Sequence, residues 1–238
     1  MIPRLTRFAM RLPSLRAPFL LLAFLTACGT EGPTTCCVTG APALRIVNAY
    51  AAPVDVLIDD GVAIQSLAAG STAVTAPATG SHTLVLRPSG SSQTFSQSIT
   101  TTTGVLNTIA AVRAASGALV GAVLDDTGSV VPAGATKLRV LHLAPTAGEL
   151  QVYRTQPDYQ QPISWQFPFT YQAQPNSLSA PFYQSTVGSW EVRVWQTPAN
   201  ASGWATAPVK VVVPLASGEK RTILILDTPG GGVHVEVI

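Results

Sequence analysis

The 238-residue chain is long enough for one large domain or two small ones, and 11% of it is charged, with Gly and Pro at 19 each. Its formal charge of +2 resides at the front: Arg4, Arg7, Arg11 and Arg16 precede Cys28 and all twelve acids follow it, leaving ten basic residues against twelve acids, a balance of −2. A weakly acidic body with scattered Lys and Arg has no electrostatic footprint for nucleic acid, which excludes that partner.

Residues 1–16 hold the four Arg and no acid, and an apolar run follows over 17–25. That is a charged n-region and an h-region too short to span a bilayer as a helix, the pattern of a signal peptide over 1–27. The run ends in Leu25-Thr26-Ala27-Cys28-Gly29, which resembles the bacterial lipobox. The resemblance implies that the Cys28 thiol is lipidated and the chain cleaved before it, so that the mature protein is held at a membrane. Gly29 stands where Asp would resemble an inner-membrane retention signal, so the expected location is the cell envelope, at the outer membrane in a Gram-negative organism.

Residues 28–42 have the composition of a flexible tether. Cys36 and Cys37 lie within it, and three readings stand for them: a strained vicinal disulfide, a bridge to another chain, or incidental thiols.

Beyond the tether the chain repeats itself. Leu44-Arg45-Ile46-Val47-Asn48-Ala49 returns as Leu138-Arg139-Val140-Leu141-His142-Leu143, 94 residues on. Gly80-Ser81-His82-Thr83-Leu84-Val85-Leu86 returns as Gly188-Ser189-Trp190-Glu191-Val192-Arg193-Val194 after 108, and Gly104 to Ile109 as Gly218 to Ile223 after 114. Three matches in one order with a growing offset describe a duplicated unit with insertions in its second copy. Val, Ile, Leu and Thr come in short bursts cut by Gly, Pro and Ser, and no window after residue 28 keeps a helical period over three turns. In the first copy Val54, Val56 and Ile58 alternate with Asp55, Leu57 and Asp59. In the second, Leu150 and Val152 oppose Gln151 and Tyr153, and Val192 and Val194 oppose Glu191 and Arg193. Asp60-Gly61 and Pro229-Gly230-Gly231 are turn signals. The expected fold is all-β: two tandem immunoglobulin-like antiparallel β-sandwiches, at 43–127 and 136–238, in contact through a connector at 128–135.

Leu44-Arg45-Ile46-Val47-Asn48-Ala49, followed by Ala52-Pro53-Val54-Asp55-Val56, resembles the bacterial surface-protein family known as domain of unknown function 4397. Leu138 to Pro145 looks like a variant of the same opening with His142 in the Asn place, and Pro77 to Leu86 fits the family's strand entry. The resemblance covers most of 43–238, most closely in the first copy. It implies exported, often lipidated proteins with immunoglobulin-like β-domains, and supplies no catalytic residue. The stretch 154–186 departs from the pattern.

That insertion is the best candidate for a specific function. It holds seven of the thirteen aromatics after Cys28, among them Trp165, Phe167, Phe169 and Tyr171 at every second position. In a strand these four form a one-sided ladder with a repeat of about 6.6 Å. Pro168 on the other face cannot donate a ladder hydrogen bond, which puts the strand at a sheet edge. Such a ladder either stacks a sugar or a peptide, with Gln160, Gln161, Gln166 and Gln172 as partners, or packs against the core or between the domains. Core packing is the more frequent outcome.

His82, His142 and His234 are widely spaced, each in an expected strand, and read as structural; by repeat alignment His82 corresponds to Trp190 and His142 to Asn48. Asp55, Asp59 and Asp60 read as turn solvation over a calcium loop, because the spacing and terminal Glu of an EF-hand are missing. Asp125-Asp126 reads the same way. No nucleophile-elbow, zincin, Walker-type or dinucleotide pattern occurs, and the Asn200-Ala201-Ser202 sequon means little behind a bacterial leader. The expectation is a non-catalytic, lipid-anchored envelope protein with a binding or structural role, without metal or cofactor. Its partners are the membrane and a glycan or protein. The alternatives are glycan or peptide recognition by the aromatics, then an envelope hydrolase.

Overall fold

Branched and hydroxyl-bearing runs, broken at short intervals by Gly, Pro and Asp, favour short strands, and every regular element among the described residues is one. The computed structural model describes residues 40–124, 130–155, 163–169, 176–178, 182–196 and 209–238, with backbone alone for 163–169, 176–178 and 195–196. The leader, Cys28, Cys36, Cys37, Asp125-Asp126, Tyr159, Tyr171, Gln160, Gln161, Gln172 and the Asn200 sequon lie outside the described residues.

The first copy contributes β1 (Ala43–Asn48), β2 (Val54–Ile58), β3 (Gly61–Leu67), β4 (Thr72–Thr75), β5 (Gly80–Pro88), β6 (Phe95–Thr101), β7 (Leu106–Arg113) and β8 (Leu119–Leu124). These form two sheets, β4-β1-β7-β8 and β3-β2-β5-β6. The second copy contributes β9 (Ala135–His142), β10 (Leu150–Thr155), β11 (Ile163–Phe169), β12 (Asn176–Leu178), β13 (Tyr183–Thr186), β14 (Gly188–Gln196), β15 (Val209–Leu215), β16 (Lys220–Asp227) and β17 (Val233–Val237). Leaving β12 aside, its sheets are β13-β9-β16-β17 and β11-β10-β14-β15, the same order strand for strand.

Alternation fills the two sandwich interiors. Leu44, Ile46, Val54, Val56, Leu84, Leu86 and Ile109 make the first core, and Leu138, Val140, Leu150, Val152, Val192, Val194, Ile223 and Ile225 make the second. Phe95 also packs on the first core because Gly121 in β8 leaves room: a Cβ there would lie 2.8 Å from its ring.

Two features depart from a plain pair of antiparallel sandwiches. Each copy contains one parallel pairing, β1 with β7 and β9 with β16, because the chain crosses from the outer sheet and enters the inner one at the end where the copy began. These four strands are also buried on both faces over most of their length. The faces turned away from the sandwich interiors form a third core. Val47, Ala49, Ala110, Val112, Ala122 and Leu124 of the first copy join Leu141, Leu143, Leu224 and Leu226 of the second. Repeat-equivalent positions are complementary in size, with Ala49 and Ala110 on one side and Leu143 and Leu224 on the other. Four sheets therefore stack, and the inner two are covered on both sides.

The insertion adds a further tie. β12 leaves the second copy and pairs in parallel with β8, Asn176 beside Ala122 and Leu178 beside Leu124, extending the first copy's inner sheet to five strands. Gly70 marks another close approach. Its φ is +73°, and a Cβ there would lie 2.4 Å from the His234 ring.

With the two sandwiches sharing a core, unfolding is expected as one cooperative transition. Leu224→Ala should lower stability by about 2–5 kcal/mol, the usual cost of emptying a buried Leu site, and keep a single transition. Differential scanning calorimetry checks both, and two resolved transitions would show independent sandwiches.

Candidate functional site

Three histidines and three aspartates were candidates for chemistry, and local geometry commits most of them to holding the backbone. The turn after β1 is closed by the fully buried Asn48. Its Oδ1 accepts from Tyr50 N at 3.0 Å, while Nδ2 donates to Ala52 O at 3.0 Å and Leu67 O at 2.8 Å. His142 closes the equivalent turn after β9 in the same way. Its Nδ1 accepts from Ala144 N at 3.3 Å, and Nε2 donates to Gly148 O at 2.6 Å. An imidazole with one nitrogen accepting and the other donating is neutral, and burial holds the His142 pKa below its ordinary 6.5.

His82 replaces Trp190 in a second shared role. Trp190 Nε1 donates to Thr186 O, four residues back, at 3.0 Å. His82 Nε2 reaches Ala78 O, also four back, at 2.7 Å, and its Nδ1 lies 2.6 Å from Asp59 Oδ2. Two acceptors favour the imidazolium, and the Asp59 hydrogen bond, then the Ala78 carbonyl, raise the His82 pKa. His234 spans the copies, Nε2 to Gly70 O at 2.9 Å, with Nδ1 3.3 Å from Thr228 Oγ1. A general base of a nucleophilic pair needs a nitrogen free for a hydroxyl and a carboxylate on the other. In all three rings a backbone carbonyl occupies Nε2.

The acids are equally engaged. Asp59 and Asp60 have φ of 50° and 66°, so they, and not Asp60-Gly61, are the two central residues of the β2–β3 hairpin. Asp59 Oδ1 accepts from Thr83 N at 2.9 Å. Asp55 is no turn-solvating residue but a buried acceptor. It takes Ser66 N at 2.9 Å, Ser89 Oγ at 2.7 Å and an Arg87 nitrogen at 2.9 Å, pinning an irregularity where Ser66 has φ 49°. The Ser66 backbone N–H, then Ser89 and Arg87, hold its carboxyl below the usual range. Glu191 and Arg193, expected on the open face of β14, are buried there as an ion pair.

The aromatic stretch divides. β11 carries Trp165, Phe167 and Phe169 and lies at the edge of its sheet, with Pro168 opposite Gln151. The even alternation is interrupted, because three residues of β11, Trp165 to Phe167, pass beside the single Val152 of β10 between Gln151 and Tyr153. Tyr183 packs on the second core, and the Phe182 ring lies 4.5 Å from the buried Arg139 guanidinium.

Sequence reasoning passed over the cavity next to this stretch. About 390 Å³ in volume, it is lined by Gly134, Ala135, Arg154, Gln184, Ser185, Thr186 and Trp190. The Arg154 guanidinium is half-buried, lies 4.7 Å from the Trp190 ring centre and donates to Ser185 Oγ at 2.9 Å. Desolvation lowers the Arg154 pKa. The residues come from β10, β13 and β14 and the approach to β9, and are distant in sequence, so no local motif announces them.

These features define a duplicated β-sandwich protein whose recurring polar residues mostly brace turns and strand pairs. Residues 42–153 match the family model described as Domain of unknown function (DUF4397). The match takes in the whole first sandwich, β9 and the first four residues of β10, and ends one residue before Arg154. No curated protein matches the chain.

His142 should make stability depend on pH in a predictable direction. Its folded pKa is depressed, so its stabilisation is complete above about 6.5 and is lost as pH falls below that value towards the folded pKa. His142→Asn, which restores the pattern of Asn48, should keep the fold at pH 7.5 and lose less stability than wild type between pH 7 and pH 5. Urea denaturation at the two pH values measures this, and equal losses would refute it.

Proposed function

We propose that the protein is a lipid-anchored, non-catalytic module of the bacterial cell envelope, with a binding or structural role. The observation that carries the reading is the run Leu25-Thr26-Ala27-Cys28, placed between an Arg-bearing apolar leader and a Gly-, Pro- and Thr-rich tether. Two or more acyl chains on Cys28 give stable membrane attachment where one gives marginal binding. The engaged ring nitrogens of His82, His142 and His234 support the non-catalytic part. Expressed in a bacterial host, wild-type protein should fractionate with membranes, whereas Cys28→Ser should be released or remain as uncleaved precursor. Membrane partition of the variant equal to wild type would refute anchoring through Cys28.

A second reading, recognition of a glycan or peptide by 154–186, is favoured by the edge position of β11, which carries three of the insertion's aromatics. Replacing both Trp165 and Phe167 by Ala should then weaken ligand retention on a glycan or peptide array while leaving the circular-dichroism spectrum unchanged. Undiminished retention would rule these side chains out.

A further inference from the structure

Strand directions sort the turns of the folded body into two ends. β1 and β7 run parallel, so Ala43, where the chain enters the first sheet, lies beside Leu106, and its N–H donates to Val105 O at 3.1 Å. The antiparallel partners β4 and β8 finish at this end. The second copy gathers its own turns in the same way around Ala135, which pairs with Thr186 and accepts from Gly218 N at 2.8 Å. The two copies share this end: β12 runs beside β8 as far as Leu124, and five residues after Leu178 the chain pairs Tyr183 with Leu138. Their opposite ends meet where His234 bonds Gly70 O.

Seven large apolar side chains are exposed among the described residues, and they are not spread evenly. Val105, Val130 and Val187 stand in the segments that lead into β7, β9 and β14 at the end where Ala43 enters, and Val130 is 89% exposed. Val74 and Val123 are the next-to-last residues of β4 and β8, which finish there. Val62 and Val212 lie further up the outer sheets, and none of the seven occupies a described turn at the opposite end. The turns at 89–94, 114–118 and 228–232 consist there of Gly, Ala, Ser, Thr, Pro and Gln. Single exposed valines are ordinary, but their collection at one end marks a contact surface.

We propose that this end faces the membrane, and that Val105, Val130 and Val187 sit at the boundary between lipid headgroups and acyl chains. The place where the chain enters the fold identifies the occupant. Cys28 lies 15 residues before Ala43, a reach of at most about 50 Å. Acyl chains on Cys28 would therefore hold this end close to one leaflet, at an effective concentration high enough for a weak apolar contact to form. Glu219 pairs with Arg221 at 2.8 Å in the neighbouring turn, so charge there is partly neutralised and the contact is assigned to the valines. The inference rests on the reading of Cys28 as the anchor, and the contact adds to that anchor without replacing it.

The test uses the lipidated full-length mature protein with methyl-labelled valine, held in nanodiscs of phosphatidylethanolamine and phosphatidylglycerol. Some of the lipid carries a nitroxide on the acyl chain next to the headgroup. The methyl signals of Val105, Val130 and Val187 should broaden at least about threefold more than those of Val209 and Val233, which open β15 and β17 at the far end. The difference should persist at about 1 M NaCl, where charges are screened within about 3 Å. Replacing Val130 and Val187 together by Asp should reduce the Val105 broadening by about half or more, with the protein still in the disc. Equal broadening at the two ends, or loss of the difference at high salt, overturns the proposal. So does protection of these methyls from a water-soluble gadolinium chelate in lipid-free Cys28→Ser protein, the mark of a second copy packed on this end. Wild-type protein that stays with membranes but broadens evenly sinks this inference alone, whereas protein that does not fractionate with membranes sinks the anchor and this inference with it.

Discussion

Burial of β1, β7, β9 and β16 on both faces is the constraint on which the rest of this protein is arranged. An ordinary sandwich strand hides one face and wets the other. Here the outward faces of the two inner sheets meet, and the third core of Ala, Val and Leu joins what would otherwise be two separate units. In β7 and β16 the runs Ile109-Ala110-Ala111-Val112 and Ile223-Leu224-Ile225-Leu226 are accordingly continuous and apolar, while β1 and β9 bury Arg45 and Arg139 between apolar neighbours. The size match across the contact follows from close packing, since two facing rows of Leu would overfill the gap and two rows of Ala would leave it void. β12, laid along β8, and His234, bonded to Gly70, reinforce the same junction at two other points.

Within this frame the two copies solve the same local problems with different residues. The turn after the first strand needs an acceptor for a backbone N–H two residues on and a donor for a more distant carbonyl. Asn48 and His142 both meet that need, one with a carboxamide and one with a neutral imidazole. The start of the fifth strand and its counterpart needs a ring N–H aimed four residues back, which His82 and Trp190 provide. His82 and His142 thus stand where the other copy has Trp190 and Asn48, and each of the three imidazoles bonds a backbone carbonyl through Nε2.

Where the copies stop being equivalent is more informative about function. The sandwich frame is shared, but the second copy carries the aromatic edge strand β11 and the cavity between Arg154 and Trp190. A duplicated fold frees one copy to keep the architecture while the other acquires a surface. The family match ends at residue 153, inside β10.

Much of the all-β architecture could be read from the chain, because strand alternation and turn residues are local properties and each sandwich interior follows from which residues alternate. The duplication was legible through three ordered matches, and the edge position of β11 through a single Pro168 that cannot donate to a ladder. The roles of Asp55 and the Glu191–Arg193 pair were not, since alternation marks a residue as facing outward without saying what lies outside. The third core was written in the apolar runs of β7 and β16, yet such runs do not name the surface that covers them. The cavity left no trace at all. Arg154, Gln184, Ser185 and Trp190 come from three strands whose proximity depends on register and on one sheet folding over another. Period and turn chemistry settle what each segment becomes, whereas long-range pairing, whose energy depends on contacts between segments far apart in the chain, decides which segments meet.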